Sequence, residues 1–229
     1  MSEILILTGA GVSAESGLGT FRDVGGLWDQ YDLEEVATPE GFARNPALVH
    51  EFYNLRRDLM QKAEPNAAHR ALAKLEREIG DRMLIITQNI DDLHERAGSK
   101  RVLHMHGRLA NAFCAHCGSQ RKEVGALSVA DACASCRQPG GMRPDVVWFG
   151  EIPHHLEEID QALGRAELFV SIGASGQVYP AAGFVAAAQR LGAETLELNM
   201  EATSTAFNAR KIGPATEIVP TWVDEILSR

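Results

Sequence analysis

Apolar residues recur along the chain in short runs, and most of these runs are separated by segments whose apolar positions have helical spacing. The runs are three to five residues long and lie at 4–7, 83–87, 102–105, 168–172, 195–198 and 217–219. Segments with helical periodicity lie at 45–62, 66–79, 155–165, 178–191 and 221–228. Short, continuous apolar runs are typical of strands that are buried on both faces. The pattern predicts an α/β fold with a parallel sheet covered by helices on both faces.

Two segments interrupt this alternation. Residues 33–65 are mainly helical in pattern, and residues 109–144 contain all the cysteines. We expect both segments to pack together as a small second domain, of residues 33–65 and 109–144. The larger domain would then comprise residues 1–32, 66–108 and 145–229. A cleft between two domains is a usual place for a binding site.

The four cysteines form two pairs, Cys114-x-x-Cys117 and Cys133-x-x-Cys136. This spacing is typical of a zinc ribbon, in which four thiolates surround one Zn²⁺ ion and leave no position open for water or substrate. The sequence therefore predicts a structural zinc site. Two disulfides are the alternative, and His116, between the first two cysteines, is interpreted as a bystander.

The chain has 229 residues and a formal net charge of −9, with 45% hydrophobic and 23% charged residues. The negative charge opposes sequence-independent binding to nucleic acid. No apolar run approaches the roughly 20 residues of a membrane span, and the first residues lack the basic start of a signal peptide. We expect a cytoplasmic monomer that binds neither nucleic acid nor membrane.

A glycine-rich turn follows the first apolar run. Gly9 and Gly11 would let the backbone approach an anionic ligand, and a helix start after them would offer unpaired N–H groups to a pyrophosphate. The alternative is a tight turn that binds no ligand. Residues 20–28 then form a polar loop instead of the second strand of an ordinary dinucleotide-binding unit. Phe21 and Arg22 in this loop are suited to cover a cofactor that is consumed in the reaction.

Polar residues follow the next two apolar runs. Asn89 and Asp91 come directly after residues 83–87, at the edge of a parallel sheet where ligands bind; a helix cap and a turn are the alternative. His106 leaves the sheet before a glycine and is a candidate general base. His104 is interpreted as a packed, hydrogen-bonded histidine.

Two later segments complete the predicted sheet edge. Residues 143–151 read as an exposed apolar strand edge that could pair with an extended peptide. The small residues of 173–180 and Asn199 are placed to contact a nucleotide.

Six motifs together resemble the sirtuin family of NAD-dependent protein-lysine deacylases. They are GAGVSAESG with TFRD and GGLW, TQNID, HMHG, the two C-x-x-C pairs, RPDVVWFGE and GASGQVYPAAGF, and they occur in family order over almost the whole chain. The resemblance implies a Rossmann-type domain and a small zinc domain with NAD between them as a co-substrate. It implies acylated lysine side chains of proteins as substrates, with nicotinamide and O-acyl-ADP-ribose as products.

The resemblance also implies roles for individual residues. His106 would accept a proton from a ribose hydroxyl, Asn89 would order ribose and water, and Asp91 would line the nicotinamide pocket. The expected cofactor-binding residues are Gly9, Ala10, Gly11, Ser13, Ala14, Glu15, Thr20, Phe21, Arg22, Trp28, Gln88, Asn89, Ile90, Asp91, Gly173, Ala174, Ser175, Asn199, Met200, Glu201 and Ala215. The expected substrate-binding residues are Tyr53, Arg56, Val147, Trp148, Phe149 and Gly150.

The helical segment 45–62 suggests which acyl group is removed. An apolar stripe is expected at Leu48, Phe52, Leu55 and Leu59, with a second stripe at Val49, Tyr53, Arg56 and Met60. Tyr53 and Arg56 match the Tyr-x-x-Arg pair of class III sirtuins, in which a phenol and a guanidinium receive a substrate carboxylate. The resemblance thus implies removal of succinyl or malonyl groups, with acetyl also possible. The alternative is a surface arginine beside a half-buried tyrosine.

Two positions depart from the family pattern. Ala174 stands where a threonine is expected, which puts one phosphate contact in doubt, and Arg108 follows the His106-Gly107 pair where a small or acidic residue is expected. Mono-ADP-ribosyl transfer to protein, or a non-catalytic NAD-sensing adaptor, are the other functions that the motifs permit.

Overall fold

Six parallel strands form the central sheet of the computed structural model, which describes residues 3–19, 31–122, 125–204 and 206–228. The strand order is β3-β2-β1-β7-β8-β9, and every neighbouring pair is parallel. The strands are β1 (Ile4–Thr8), β2 (Met83–Thr87), β3 (Val102–His104), β7 (Leu168–Ile172), β8 (Glu194–Asn199) and β9 (Ala209–Ile212). The predicted α/β parallel sheet is confirmed.

Helices cover both faces of this sheet because alternate residues of each buried strand point to opposite sides. Ile4 and Ile6 pack with α5 (Ala67–Ile79) and α9 (Ala215–Leu227), whereas Leu5 and Leu7 pack with α7 (Leu156–Leu163) and α8 (Phe184–Arg190). Each face therefore has its own apolar core.

A second, three-stranded antiparallel sheet lies outside the parallel one. Its order is β5-β4-β6, with β4 (Gly107–Cys114), β5 (Gln120–Arg121) and β6 (Met142–Val146). The helices of the other insert are α2 (Leu33–Val36), α3 (Pro39–Arg44) and α4 (Pro46–Lys62), and their core residues pack with Leu109, Val146 and Trp148. The two predicted inserts thus share an apolar cluster.

Two short helices lie next to the sheet edge, α1 (Ala10–Ser13) after β1 and α6 (Leu93–Ala97) after β2. The α5 helix is capped by Asn66, whose Oδ1 accepts from the backbone N–H groups of Ala68 and His69. No helix in the described part of the chain is long and apolar enough to cross a membrane.

The prediction of a strand at 217–219 is wrong. These residues lie inside α9, whose buried residues Ala215, Val219, Trp222 and Val223 have helical spacing. The sixth strand is β9, at the edge of the sheet, where most of its side chains are exposed. An edge strand with exposed side chains has no apolar run by which the sequence could reveal it.

Candidate active site

The glycine-rich turn after β1 packs against the turn after β7. Gly9 N–H donates to the carbonyl of Ile172 at 3.0 Å, and Gly11 N–H donates to that of Gly173 at 2.9 Å. A Cβ at Gly9 would lie 2.7 Å from Ala174 Cα, and one at Gly11 would lie 2.7 Å from Gly173 Cα. Contact between two protein turns therefore requires both glycines, and their approach to an anionic ligand stays a prediction.

The helix start in this turn differs from expectation. The α1 helix has only four residues, and its Gly11 N–H is already bonded to protein. The predicted cradle of unpaired N–H groups for a pyrophosphate is thus wrong at Gly11.

The hydroxyl of Ser13 joins this turn to the loop after β2. Ser13 Oγ donates to Asp91 Oδ2 at 3.0 Å and accepts from Asn89 Nδ2 at 3.1 Å. His69 Nε2, from α5, lies 3.4 Å from the same oxygen. Since a hydroxyl has one hydrogen and two lone pairs, these three contacts use its full capacity.

Asn89 and Asp91 are both buried at the end of β2. Asn89 Nδ2 also donates to the Gly9 carbonyl at 3.1 Å, so both amide hydrogens are used and Oδ1 is without a partner among the described residues. Asp91 Oδ1 accepts from Leu93 N–H at 3.1 Å, so Asp91 stabilises the turn before α6, although the N-cap residue of that helix is Asp92. Burial raises the pKa of Asp91, and the hydrogen bonds from Leu93 and Ser13 oppose that shift.

His106 lies in the sharp turn between β3 and β4. The turn requires Gly107, whose φ is +82° and whose Cβ would come within 2.1 Å of the Asp145 carbonyl oxygen. His106 Nδ1 lies 3.1 Å from the carbonyl oxygen of Gln88, which can only accept. The proton of neutral His106 is therefore on Nδ1, and Nε2 keeps a lone pair with no partner in the described residues.

Burial is the main cause that lowers the pKa of His106 below its ordinary value. The charge of His154 lowers it further, and the hydrogen bond to Gln88 opposes the shift. The side chain is thus held in the neutral form that a general base requires.

His104 is a packed, hydrogen-bonded histidine, as expected. Its Nδ1 lies 3.1 Å from the Asn89 carbonyl oxygen, and its Nε2 lies 2.8 Å from Glu95 Oε1. Both neighbours are oxygen atoms that can accept a hydrogen bond. Arg108, the departure from the family pattern, pairs with the same Glu95 oxygen at 2.9 Å. Arg108 therefore joins, from the surface, the hydrogen-bond network of Glu95 and His104 beside Asn89.

The turn after β7 holds the second group of expected cofactor residues. Asn199 Nδ2 donates to the Ala174 carbonyl at 2.9 Å, so the ends of β7 and β8 are joined. A cavity of about 180 Å³ opens beside this turn, and its lining includes Gln88, Ser171, Ala174, Gly176 and Thr203. The Ala174 methyl is buried in the apolar core beside the cavity. This position therefore lacks the hydroxyl that the threonine of the family pattern would supply.

The remaining expected cofactor residues lie around these two turns. Glu15 accepts from the backbone N–H and the hydroxyl of Thr216, which ties the first turn to α9 next to Ala215. Ile90 is buried, Met200 and Glu201 are exposed, and Ala10, Ala14 and Ser175 are half-buried. Thr20, Phe21, Arg22 and Trp28 lie outside the described residues.

The α4 helix buries its second predicted stripe but only part of the first. Leu55 and Leu59, of the first predicted stripe, are 39% and 42% exposed, whereas Arg57 is buried. Arg57 Nε donates to the Leu109 carbonyl at 3.0 Å, which explains how a charged residue is held inside. The second predicted stripe, with Tyr53, faces the core.

Tyr53 and Arg56 lie together as predicted. Tyr53 is 1% exposed, and its hydroxyl accepts from Trp148 Nε1 at 2.9 Å. Arg56 is half-buried, with its Cζ 5.7 Å from the centre of the Tyr53 ring. Burial lowers the pKa of Arg56, and the neighbouring Tyr53 and the charge of Asp91 oppose the shift.

Residues 143–151, which include most of β6, were expected to be an exposed edge for a peptide, and this is wrong for most of them. Met142–Val146 are all buried, and Trp148 is 2% exposed. The N–H groups of Val147 and Phe149 donate to the carbonyls of His106 and Ala37. Only Phe149 and Gly150 are exposed, so an extended peptide cannot pair with the N–H groups of this segment's first residues.

The four cysteines lie in one cluster, with their sulfur atoms within 4.8 Å of one another. The Sγ atoms of Cys114 and Cys136 are 3.7 Å apart, as are those of Cys117 and Cys133. A tetrahedron with Zn–S bonds of about 2.3 Å places its sulfurs about 3.8 Å apart. All four cysteines are free of disulfides, so the residues fit a structural zinc site. His116 is exposed and outside the cluster.

Three contributors to the site were not predicted from the sequence: His69, Glu95 and Arg143. His69 contacts Ser13 across 56 residues, whereas Glu95 and Arg143 bind His104 and Glu151, which lie 9 and 8 residues away, and no local spacing marks these contacts. A second cavity, of about 410 Å³, is larger than the one beside Gln88. It lies between α4 and residues 127–129, and none of the predicted site residues lines it.

A sequence model of the Sir2 family matches residues 9–180. The chain belongs to the Sir2 family. Among curated proteins, the "NAD-dependent protein deacylase" of Caulobacter vibrioides is 56% identical over 99% of this chain and 98% of its own length. The protein of the same name from Salmonella typhimurium is 53% identical over 98% of this chain and 84% of its own.

Solved structures of Sir2 proteins agree with this assignment. A Sir2 homologue in complex with NAD has a TM-score of 0.90 at 38% identity, covering 99% of this chain and 90% of that one. A mutant Sir2 homologue in complex with ADP ribose has a TM-score of 0.92 at 38% identity, covering 99% and 93%. This Sir2 family member thus shares its overall fold with these solved structures.

Proposed function

We propose that this Sir2 family member is an NAD-dependent protein-lysine deacylase that removes succinyl and malonyl groups, and acetyl groups as well. The names of its relatives support the deacylase activity. The observation that carries the acyl preference is the Tyr53–Arg56 pair, a phenol and a guanidinium on the inner side of an apolar helix.

His106 supplies the base. Its Nδ1–H is held by Gln88, so Nε2 accepts the proton of a ribose hydroxyl. Because burial lowers the pKa of His106, the side chain is neutral and able to do this near pH 7.

Asn89 and Asp91 complete the reacting end of the site. The unpartnered Asn89 Oδ1 is the group that can orient a ribose hydroxyl or a water, since its amide hydrogens are bound by Gly9 and Ser13. Asp91 is fixed by Ser13 and Leu93 and lines the nicotinamide side. NAD, when bound, supplies the leaving nicotinamide and the ribose that receives the acyl group. The cavity beside Gln88, Ala174 and Gly176 lies at the carboxyl ends of the strands, where open α/β sheets bind their ligands.

The Tyr53–Arg56 pair gives the acyl preference its physical reason. A guanidinium that is partly removed from water is stabilised by an anion, and its planar fork can hold a carboxylate with two hydrogen bonds. Succinyl and malonyl groups carry such a carboxylate, whereas an acetyl group ends in a methyl. The products are nicotinamide, O-acyl-ADP-ribose and free lysine.

Steady-state turnover of peptides that differ only in the acyl group tests this proposal. Arg56→Met should lower kcat/KM for succinyl-lysine roughly 10- to 100-fold, the effect of a lost hydrogen bond to a charged group, and should not lower it for acetyl-lysine. Arg77→Met, on the exposed side of α5, is the matched control and should leave both values unchanged. Succinyl turnover that is absent in the wild type, or unaffected by Arg56→Met, would contradict the acyl preference. Mass analysis showing an adduct on protein without free lysine would contradict deacylation.

A further inference from the structure

Trp148 lies just after β6 of the three-stranded sheet and contacts Tyr53 of the Tyr53–Arg56 pair. The indole is 2% exposed, and its Nε1–H donates to the Tyr53 hydroxyl oxygen at 2.9 Å across 95 residues of sequence. An indole nitrogen is a donor only, so at this contact the phenol oxygen has to accept. We propose that Trp148 is a positioning residue for acyl specificity, which orients the Tyr53 O–H proton toward the carboxylate of the acyl group. This inference rests on the proposed function of the Tyr53–Arg56 pair.

The indole is held on its other side by a buried ion pair. Arg143 Cζ lies 3.3 Å from the centre of a Trp148 ring, and its guanidinium binds Glu151 with two hydrogen bonds of 2.7 and 2.9 Å. Glu151 Oε2 also accepts from the backbone N–H of Trp148 at 2.8 Å. With its backbone and its ring face both fixed, the indole presents its N–H to Tyr53 in one orientation.

The hydrogen-bond capacity of the Tyr53 oxygen decides where its own proton goes. A phenol oxygen accepts two hydrogen bonds and donates one. Trp148 provides one donor, and the Arg56 guanidinium is a hydrogen-bonding neighbour that cannot accept either. The described residues offer no acceptor for the Tyr53 proton. A succinyl or malonyl carboxylate supplies that acceptor, and the methyl of an acetyl group does not.

The Tyr53 O–H discriminates between acyl groups by whether they can accept its hydrogen bond. A buried polar group without its partner is costly, so a site that presents an O–H favours the ligand that accepts from it. Trp148 thus contributes to specificity through Tyr53, because its N–H occupies one side of the phenol oxygen and the Tyr53 O–H has to point away from it.

Trp148→Phe tests the inference because it keeps an aromatic ring against Arg143 and removes the N–H. The ratio of kcat/KM for succinyl-lysine to that for acetyl-lysine should fall roughly 3- to 10-fold, mainly through a higher KM for the succinyl peptide. In a Tyr53→Phe background the same substitution should change the ratio no further. Trp222→Phe, a buried tryptophan in the core between the sheet and α9, is the matched control and should leave the ratio unchanged.

An unchanged ratio in Trp148→Phe, or an equal fall in the Tyr53→Phe background, would overturn the role of Trp148 while the effect of Arg56→Met persists. Loss of the Arg56→Met effect itself would instead overturn the proposed function, and this inference with it. If Trp148→Phe does not fold, benzothienylalanine placed at position 148 keeps the shape of the indole and removes only the donor. The same fall in ratio is then expected.

Discussion

The Ser13 hydroxyl donates a hydrogen bond to Asp91 Oδ2 at 3.0 Å. This contact joins the turn after β1 to the loop after β2, and the same oxygen accepts from Asn89 at 3.1 Å. One side chain therefore sets the relative position of the two candidate catalytic residues that follow β2.

We predict that Ser13→Ala lowers kcat/KM by about 10-fold or more, because it leaves a buried carboxylate and a buried amide each without one partner. Steady-state kinetics with a single acyl peptide measures this. Ser16→Ala is the control, since within the described ranges Ser16 Oγ contacts the Asn66 amide at 3.0 Å and neither catalytic residue. Equal turnover by Ser13→Ala and the wild type would show that this hydroxyl does not position the pair.

The pH dependence of activity should report the state of His106. Because burial and the charge of His154 lower its pKa below 6.5, the base stays neutral in mildly acidic solution. We predict that the acid limb of kcat/KM has its midpoint below pH 6.5, measured from about pH 5 to about pH 9.

His154→Gln provides a directional check on that assignment. Removing the nearby positive charge should raise the pKa of His106, so the acid limb should move to higher pH while the neutral-pH rate is kept. A limb that stays in place, or moves to lower pH, would mean that a different group controls it.

Zinc should be required for the fold of the small sheet and not for the chemical step. Cys117→Ala removes one of four ligands at an exposed position, so it creates no cavity, and we predict loss of bound zinc and a lower Tm. Zinc content and thermal unfolding measure this. His116→Ala, an exposed neighbour outside the cluster, should retain the metal; zinc loss in that variant would show that the ligand set is wrong.

The sequence was sufficient for features that are local. Continuous apolar runs such as 83–87 predicted central strands, and the cysteine spacing predicted the metal cluster, because both patterns are set by neighbouring residues. The β9 strand was missed because its exposed edge residues form no apolar run. Residues 217–219, near the start of α9, were assigned as a strand because β-branched residues are common in strands.

Contacts between distant segments could not be predicted in this way. The Trp148–Tyr53 hydrogen bond spans 95 residues, and the close packing that requires Gly9 depends on a turn more than half the chain away. The Tyr53–Arg56 pair was found because its spacing lies on one helix face, whereas the groups that orient Tyr53 come from β6 and the segment after it. The cytoplasmic location and the monomeric state stay predictions.

Stability should fall in mildly acidic solution because of His69. Burial, with a contribution from the charge of Arg70, lowers its pKa from 6.5 to about 4 in the folded protein. Between these values the unfolded chain binds the proton and the folded chain does not, so the free energy of unfolding decreases as pH falls from 6.5 to about 4. The full loss of unfolding free energy from this residue is about 3 kcal/mol, from 1.36 kcal/mol per pKa unit.

Unfolding by urea at a series of pH values measures the wild type against His69→Gln, whose side chain does not titrate. As pH falls, the free energy of unfolding should decrease more for the wild type than for the variant. Zinc release in acid would lower the stability of both proteins. Parallel curves for the two proteins would contradict a neutral, buried His69.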